Sequence, residues 1–90
     1  MKIDVSYVAQ VRSAAGVGVE SVEMPAGATA ADLASQVAGA HGQTLEHLLL
    51  DEAGLPRKTI LIFINNKQSD SATLLKENDR VTFLSPLSGG

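Results

Sequence analysis

Residues 59–64, which read Thr-Ile-Leu-Ile-Phe-Ile, are the most informative stretch of this sequence for the fold. The run is apolar and rich in β-branched side chains, which favour a pleated strand. A strand with apolar side chains on both faces belongs in the interior of a sheet, where both faces are covered. A Gly- and Pro-containing loop precedes the run at residues 51–58, and a polar turn follows it at residues 65–68. We therefore expect a buried central strand here, with other strands beside it.

The last strand of the chain is predicted at residues 80–84, where apolar and polar side chains alternate along Arg-Val-Thr-Phe-Leu. Ser85 and Pro86 end its pairing, because proline has no N–H to donate to a neighbouring strand.

The N-terminal part of the chain predicts two neighbouring strands. Residues 2–9 carry apolar side chains at alternating positions, and residues 19–24 form a second β-prone segment in which Glu20 and Glu23 are expected to be exposed. The glycine-containing segment 14–18 between them is predicted to be a turn, so that the two strands form a hairpin.

One main helix is predicted over residues 30–40. Thr29 is a good N-cap, and Asp32 suits the positive end of the helix dipole. Gly42 is suited to end the helix, and the leucines in residues 44–50 indicate a further short helix. The apolar side chains at helical spacing in the main helix are Leu33, Val37 and Ala40.

The order of elements is therefore strand, strand, helix, short helix, strand, strand. This order implies a mixed sheet of four to five strands with one main helix packed on one face. The first and last strands are both apolar, and we expect them to pair side by side in the middle of the sheet. The sequence thus predicts an α+β protein with the β-grasp fold, made of one domain at residues 1–85 and a flexible tail at residues 86–90.

Composition argues against several classes of function. The formal net charge is −3 and no run of Lys or Arg occurs, whereas binding of nucleic acid needs a clustered basic face. The sequence has no Cys, and His41 and His47 do not share a helical face, so we expect no metal site. No serine lies in a nucleophile motif, and no glycine loop suits a phosphate. An adaptor or binding module fits these features better than a self-sufficient enzyme.

We expect the protein to be cytoplasmic and not to bind membranes. The N-terminal Met-Lys-Ile-Asp places an acid where the apolar region of a signal peptide would begin. The longest apolar run, residues 60–64, is far too short to span a bilayer.

The tail ends in Gly89 and Gly90. Glycine pairs usually serve turns, but a pair at this position makes a thin peptide that finishes in a free carboxylate. Such a peptide can enter a narrow channel where any Cβ would clash, and its carboxylate is a group that other chemistry can use. The alternative interpretation is a frayed terminus or a cloning remnant.

Four segments together resemble the MoaD/ThiS family of ubiquitin-like sulfur carriers, and most closely the small subunit of molybdopterin synthase. The resemblance covers nearly the whole chain in the right order. The segments are Ala9-Gln10-Val11-Arg12, Ile64-Asn65, Asn78-Asp79-Arg80-Val81 and Pro86-Leu87-Ser88-Gly89-Gly90.

The resemblance implies a mechanism centred on Gly90. A ubiquitin-activating-type adenylating enzyme would use ATP to adenylate the Gly90 carboxylate, and a sulfur donor protein would then convert it to a thiocarboxylate. The tail would insert into the large subunit of molybdopterin synthase and deliver the sulfur, with Gly89 next to the reacting group and Pro86, Leu87 and Ser88 guiding the tail. The chain would bind no cofactor of its own and would not be catalytic alone.

Carriers of this type dock through an apolar patch on the sheet face away from the helix. The candidates here are Val8, Phe63 and Leu84, because exposed apolar groups that cluster usually mark a partner. The alternative is that they only cover the rim of the sheet.

Other functions stay open at this point. The chain could carry sulfur for thiamine or another metabolite, act as a ubiquitin-like modifier joined to lysines through Gly90, or be a β-grasp interaction module with an inert tail. The segment 41–58 is longer than in compact bacterial carriers, and the tail has Leu-Ser where Val-Thr is common. Both departures leave the pathway undecided.

Overall fold

The computed structural model describes residues 1–85, which contain five strands and three helices. The segments predicted as helices are α2 and α3, whereas α1 and β4 were not predicted. In chain order the elements are β1 (Lys2–Val8), α1 (Gln10–Ala15), β2 (Val19–Glu23), α2 (Ala30–His41), α3 (Gln43–Leu49), β3 (Leu61–Ile64), β4 (Lys67–Ser69) and β5 (Arg80–Leu84).

The strands form one mixed sheet in the order β2-β1-β5-β3-β4. Strands β1 and β5 lie side by side in the middle and run parallel, while every other neighbouring pair is antiparallel. Parallel neighbours need a long connection, and the chain between β1 and β5 supplies it through the helices and the outer strands. The sheet therefore has the β-grasp arrangement predicted from the sequence, with the first and last strands adjacent.

One face of the sheet is buried in a single apolar core with the helices. In β1 every second side chain is buried, and the intervening side chains lie on the other face, which we call the open face and which is half-buried or exposed. Complete burial of a Leu, Ile or Phe side chain contributes about 1.5–3 kcal/mol, so this core is the main source of stability. Its largest fully buried side chains are Tyr7, Phe83, Ile3, Leu33, Leu45, Leu49, Val5, Val11, Val37 and Val81.

The predicted caps of α2 are present. The Thr29 hydroxyl oxygen accepts from the Asp32 backbone N–H at 3.2 Å, and the Asp32 carboxylate accepts from the Thr29 backbone N–H at 2.9 Å. This reciprocal pair satisfies two donors that a helix leaves free at its start. Gly42 ends α2 with a φ of 103°, a conformation that favours glycine.

The connection between β1 and β2 differs from the predicted turn, because much of it is the helix α1. Val11 and Ala15 lie one helical turn apart and are both buried. Gly16, with a φ of 81°, ends the helix, and its N–H donates to the Arg12 carbonyl at 2.9 Å. A helix of 6 residues is shorter than the window in which helical periodicity becomes visible, so the sequence revealed only the glycine-containing turn at its end.

The strand predicted at residues 59–64 is not buried on both faces. Strand β3 buries Ile62 and Ile64, while Leu61 and Phe63 are half-buried on the open face. The prediction was wrong because the helices cover only one face of the sheet, which leaves the apolar side chains of the other face partly accessible.

The turn predicted at residues 65–68 is shorter than expected. Asn65 and Asn66 have φ values of 53° and 69°, and they close a two-residue hairpin of the kind that requires positive φ at both central positions. Asparagine tolerates this conformation better than most residues. Strand β4 therefore begins at Lys67 and pairs with β3, although its polar composition gave no sign of a strand.

Candidate functional site

The described part of the chain ends at the middle of the sheet. Strand β5 lies between β1 and β3, Leu84 is its last residue, and Ser85 follows with 7% exposure. The predicted tail residues lie outside the residues that the structure describes, and their predicted roles stay predictions. These residues are Pro86, Leu87, Ser88, Gly89 and the reacting Gly90.

Four apolar side chains gather on the open face beside this point, and we call Val8, Leu61, Phe63 and Leu84 the exit patch. Leu84 pairs with Val8 of β1 on one side and with Leu61 of β3 on the other, so these three form a row across three strands. Phe63 pairs with Thr82 in the next row. Paired residues share a face of the sheet and lie within contact distance, and Phe63 is the diagonal neighbour of Leu84, within reach of an aromatic side chain, so the exit patch is continuous.

The sequence predicted three of these four residues. Val8, Phe63 and Leu84 were proposed to bind a partner, and the structure places all three on the face away from the helices. Val8 is 39% exposed, and the other two are half-buried. Leu61 was missed because the run at residues 59–64 was interpreted as buried on both faces. Partner binding by these residues stays a prediction.

A strained residue follows the exit patch directly. Ala9 has a φ of 60° and a ψ of −129°, a region that residues other than glycine rarely adopt. The conformation turns the chain from β1 into α1 immediately after Val8. Strain of this kind costs about 1–3 kcal/mol and concentrates at functional sites. An alanine gives no sequence signal for positive φ, so the sequence did not predict it.

A polar cluster made of Tyr7, Glu20 and His41 lies on the helix side of the sheet. The Tyr7 hydroxyl donates to Glu20 Oε2, and His41 Nε2 lies 2.6 Å from the same oxygen. The Tyr7 ring contacts the His41 ring edge-on, with their centroids 5.8 Å apart. It also stacks on the Phe83 ring, with the two centroids 6.4 Å apart. The cluster thereby links β2, β1 and the C-terminal end of α2 to the strand that leads into the tail.

Glu20 is therefore not the plain exposed residue that the sequence predicted, since its side chain is only 29% exposed. Burial acts to raise the pKa of Glu20, but the hydrogen bonds from Tyr7 and His41 and the charge of His41 outweigh it, so the pKa lies below its ordinary value. Burial, followed by the hydrogen bond and the charge of Glu20, raises the pKa of Tyr7. The Tyr7 hydroxyl thus stays protonated and remains a donor.

Within residues 1–85, no group of three or more His, Cys, Asp or Glu residues is placed to hold a metal ion. In the same part of the chain, none of the helices has the length and apolar character needed to cross a membrane.

The chain is similar to known proteins in sequence. Residues 5–90 match the ThiS family. The molybdopterin synthase sulfur carrier subunit of Chlamydomonas reinhardtii is 33% identical over 92 residues, and the match covers 100% of both chains.

Two solved structures have the same fold. SAMP1 from Haloferax volcanii matches with a TM-score of 0.89 at 22% identity, covering 100% of both chains. A putative molybdopterin converting factor, subunit 1, from Pyrococcus furiosus matches with a TM-score of 0.76 at 29% identity, covering 97% of this chain and 99% of that one. The chain therefore belongs to the MoaD/ThiS family of ubiquitin-like sulfur carriers.

Proposed function

We propose that this protein carries sulfur as a thiocarboxylate on Gly90 and serves as the small subunit of a molybdopterin synthase. The observation that carries the proposal is the full-length match to a molybdopterin synthase sulfur carrier subunit, at 33% identity. The family match supports it because it extends through Gly89 and Gly90, two residues that place no side chain beside the proposed reacting group.

The chemistry needs an activating enzyme because a carboxylate is a poor electrophile. One oxygen of the Gly90 carboxylate attacks the α-phosphorus of ATP, pyrophosphate leaves, and an acyl-adenylate forms. A persulfide of the donor protein then attacks the Gly90 carbonyl carbon and AMP leaves, which gives an acyl disulfide. A second thiol attacks the donor's sulfur in that disulfide, so the thiocarboxylate is released and the donor is left as a disulfide. ATP belongs to the activating enzyme in this scheme, and the carrier supplies only the reacting carboxylate.

The fold supports the proposal through the position of the exit patch. Leu84 ends the central strand and belongs to the patch, so a partner that covers the patch lies next to the start of the tail. An apolar surface that becomes buried on docking supplies affinity, while the glycines at the tip enter the active site of the partner. We propose that the activating enzyme and the large synthase subunit use the exit patch in turn.

The test is the intact mass of the untagged protein after incubation with ATP, a cognate adenylating enzyme and a sulfur donor protein. We expect a mass gain equal to the replacement of one oxygen by sulfur, mapped to Gly90 and absent without ATP. The purified thiocarboxylate, mixed with a molybdopterin synthase large subunit and the pterin precursor, should then return to the carboxylate as dithiolene forms.

A variant with one additional residue after Gly90 is the matched control, because it keeps the fold and moves the carboxylate. It should gain no sulfur. An unchanged mass of the wild-type protein with cognate enzymes would exclude the carrier function. A thiocarboxylate that never reaches the large subunit would leave a carrier for thiamine or another sulfur metabolite, and conjugates to lysines of other proteins would identify a modifier.

A further inference from the structure

A cavity of about 240 Å³ lies beside the exit patch, where β4 ends, and we call it the edge cavity. Strand β4 stops at Ser69, which pairs with Ile62, so within residues 1–85 Leu61 has a strand partner only on its β5 side. Leu61 lines the cavity, and so does Gln68, which pairs with Phe63 on the open face. The exit patch and the edge cavity are therefore continuous, and a partner that covers the patch reaches the cavity.

The edge cavity is lined by two cations that have no acidic partner. These are Arg57 and Lys58. Within residues 1–85 no carboxylate oxygen lies within 4.0 Å of the charged nitrogens of either side chain. Lys58 is exposed, and its ammonium makes no hydrogen bond to the same part of the chain. All three donors of the Lys58 ammonium are therefore available to a partner.

The two cations differ in how much of their charge the cavity receives. Arg57 also lines a neighbouring cavity, of about 210 Å³, together with the acidic residues Glu46, Asp51 and Glu52. Its charge therefore acts on both cavities. Lys58 lines the edge cavity and not the neighbouring one, so it is the cation that sets the charge preference of the edge cavity.

Asp70 is the one carboxylate among the described residues that line the edge cavity. Its Oδ1 accepts from the Ala72 backbone N–H at 3.0 Å and from the Thr73 hydroxyl at 3.1 Å. These bonds direct that oxygen to the turn of Asp70 itself rather than to Lys58. The cavity thus keeps an excess of positive charge, which favours an anionic occupant.

Hydrogen bonds fix the backbone on both sides of Lys58. Arg57 Nε donates to the His47 carbonyl at 2.7 Å, and the Arg57 backbone N–H donates to the Leu49 carbonyl at 2.8 Å. On the other side of Lys58, the Ile60 N–H donates to the Arg57 carbonyl at 3.0 Å. A wall that is already ordered loses little conformational entropy when a partner binds.

We propose that the edge cavity receives the side-chain carboxylate of an Asp or Glu that belongs to the protein covering the exit patch. Lys58 supplies the ion pair. Gln68 and Ser71 also line the cavity, and their side chains have no hydrogen-bond partner within residues 1–85, so they supply further donors. The inference rests on the proposed function, because it adds a charged contact to the docking through the exit patch.

A carboxylate of a protein fits this place better than a free anion does. Leu61 lines the cavity and belongs to the exit patch, so an apolar surface that covers the patch also shields the mouth of the cavity from water. A charge pair strengthens when water is excluded from it. A free phosphate would bring no apolar surface and would leave the Lys58 ammonium in water.

The test is the dissociation constant for the full-length protein and its cognate molybdopterin synthase large subunit, measured by isothermal titration calorimetry. Lys58→Glu should weaken binding about tenfold at about 0.1 M salt. The difference should shrink to less than about threefold at about 1 M salt, because the Debye length falls from about 10 Å to about 3 Å. Circular dichroism should show the variant folded, since the Lys58 side chain makes no hydrogen bond or ion pair within residues 1–85.

Two further variants make the test specific. Lys76→Glu makes the same change of charge at an exposed lysine that does not line the edge cavity, and it should bind like the wild type. Asp70→Asn removes a negative charge and keeps an oxygen that can accept from Ala72 and Thr73. It should tighten binding about threefold. A cationic occupant would instead make Lys58→Glu bind more tightly and Asp70→Asn more weakly.

A charge swap identifies the acid on the partner. Each exposed Asp or Glu near the docking surface of the large subunit is changed to Lys and titrated with Lys58→Glu. One of these changes should restore the dissociation constant to within about threefold of the wild-type pair, because the swap recreates the ion pair with its charges exchanged.

Several results would overturn the inference while leaving the proposed function intact. They are equal binding by Lys58→Glu and the wild type, equal losses in Lys58→Glu and Lys76→Glu, a loss that persists undiminished at high salt, weaker binding by Asp70→Asn, and a charge swap that never restores binding. A wild-type protein that neither gains sulfur on Gly90 nor binds the large subunit would refute the proposed function, and the inference would fail with it.

Discussion

Replacing Ala9 by glycine should stabilise this protein, although a change from alanine to glycine usually destabilises. Ala9 has a φ of 60° and a ψ of −129°, where its Cβ clashes with the backbone and glycine meets no such clash. Its side chain is exposed, so the substitution removes no core contact. The bond from the Ser13 N–H to the Ala9 carbonyl, at 3.2 Å, involves only the backbone and is kept.

Two opposing effects set the change in the free energy of unfolding. Relief of the strained conformation raises it by about 1–3 kcal/mol. The greater freedom of glycine in the unfolded chain costs about 0.5–1 kcal/mol. The net gain is about 1 kcal/mol, which corresponds to a rise in Tm of about 4–8 °C for a domain of this size.

The assay is urea denaturation followed by circular dichroism, with thermal melting as a second measurement. Ala40→Gly is the matched control, because Ala40 is exposed and helical, and this variant should lose about 0.5–1 kcal/mol. The m-value should stay constant, which shows that the change acts on stability rather than on compactness. If Ala9→Gly destabilises the protein as much as Ala40→Gly does, then Ala9 is not strained and the reasoning fails.

Three other predictions follow from the described contacts. Leu84→Asp should lower the rate of thiocarboxylate formation at least about tenfold by charging the exit patch, whereas Leu74→Asp, at a loop position that is 62% exposed, should leave the rate unchanged. Thr29→Ala should lower the free energy of unfolding by about 1 kcal/mol in urea denaturation, because it removes the side-chain half of the α2 cap. Glu20 has a lower pKa in the folded state than the ordinary value of 4.5, so the unfolded state takes up a proton first as the pH falls. Its stabilising contribution is therefore present above pH 4.5 and lost below it, and denaturation curves against pH should show a smaller acid loss for Glu20→Gln than for the wild type.

The sequence predicted the elements whose signals are local. Thr29 and Asp32 predicted the start of α2, and Gly42 predicted its end, because capping interactions involve residues only a few positions apart. The alternation of apolar residues in β1 and β5 predicted two strands that suit the centre of the sheet. These features were sufficient to predict the β-grasp order before any pairing was known.

The sequence did not predict the surroundings of side chains that contact residues far away in the chain. Leu61 belongs to the exit patch only because β3 pairs with β5 in a register that sets it opposite Leu84. Glu20 is half-buried only because Tyr7 and His41 converge on it from β1 and α2. The hydropathy of a single strand predicts neither the exposure of Leu61 nor the burial of Glu20, because both depend on packing between elements that are distant in the sequence.

Strand β1 connects the exit patch on the open face to the Tyr7, Glu20 and His41 cluster on the helix side. Its odd-numbered residues, such as Tyr7, bond to β2 and place their side chains in the core, while its even-numbered residues, such as Val8, place theirs on the open face. Asp4 accordingly donates its N–H to the carbonyl of Asp79, on the side of β5. A slip of one residue in β1 would exchange the two faces, moving Val8 into the core and Tyr7 away from Glu20. The fully buried core side chains of β1 hold the register that places Val8 in the exit patch and Tyr7 against Glu20, so the stability of the core and the placement of both groups depend on the same strand.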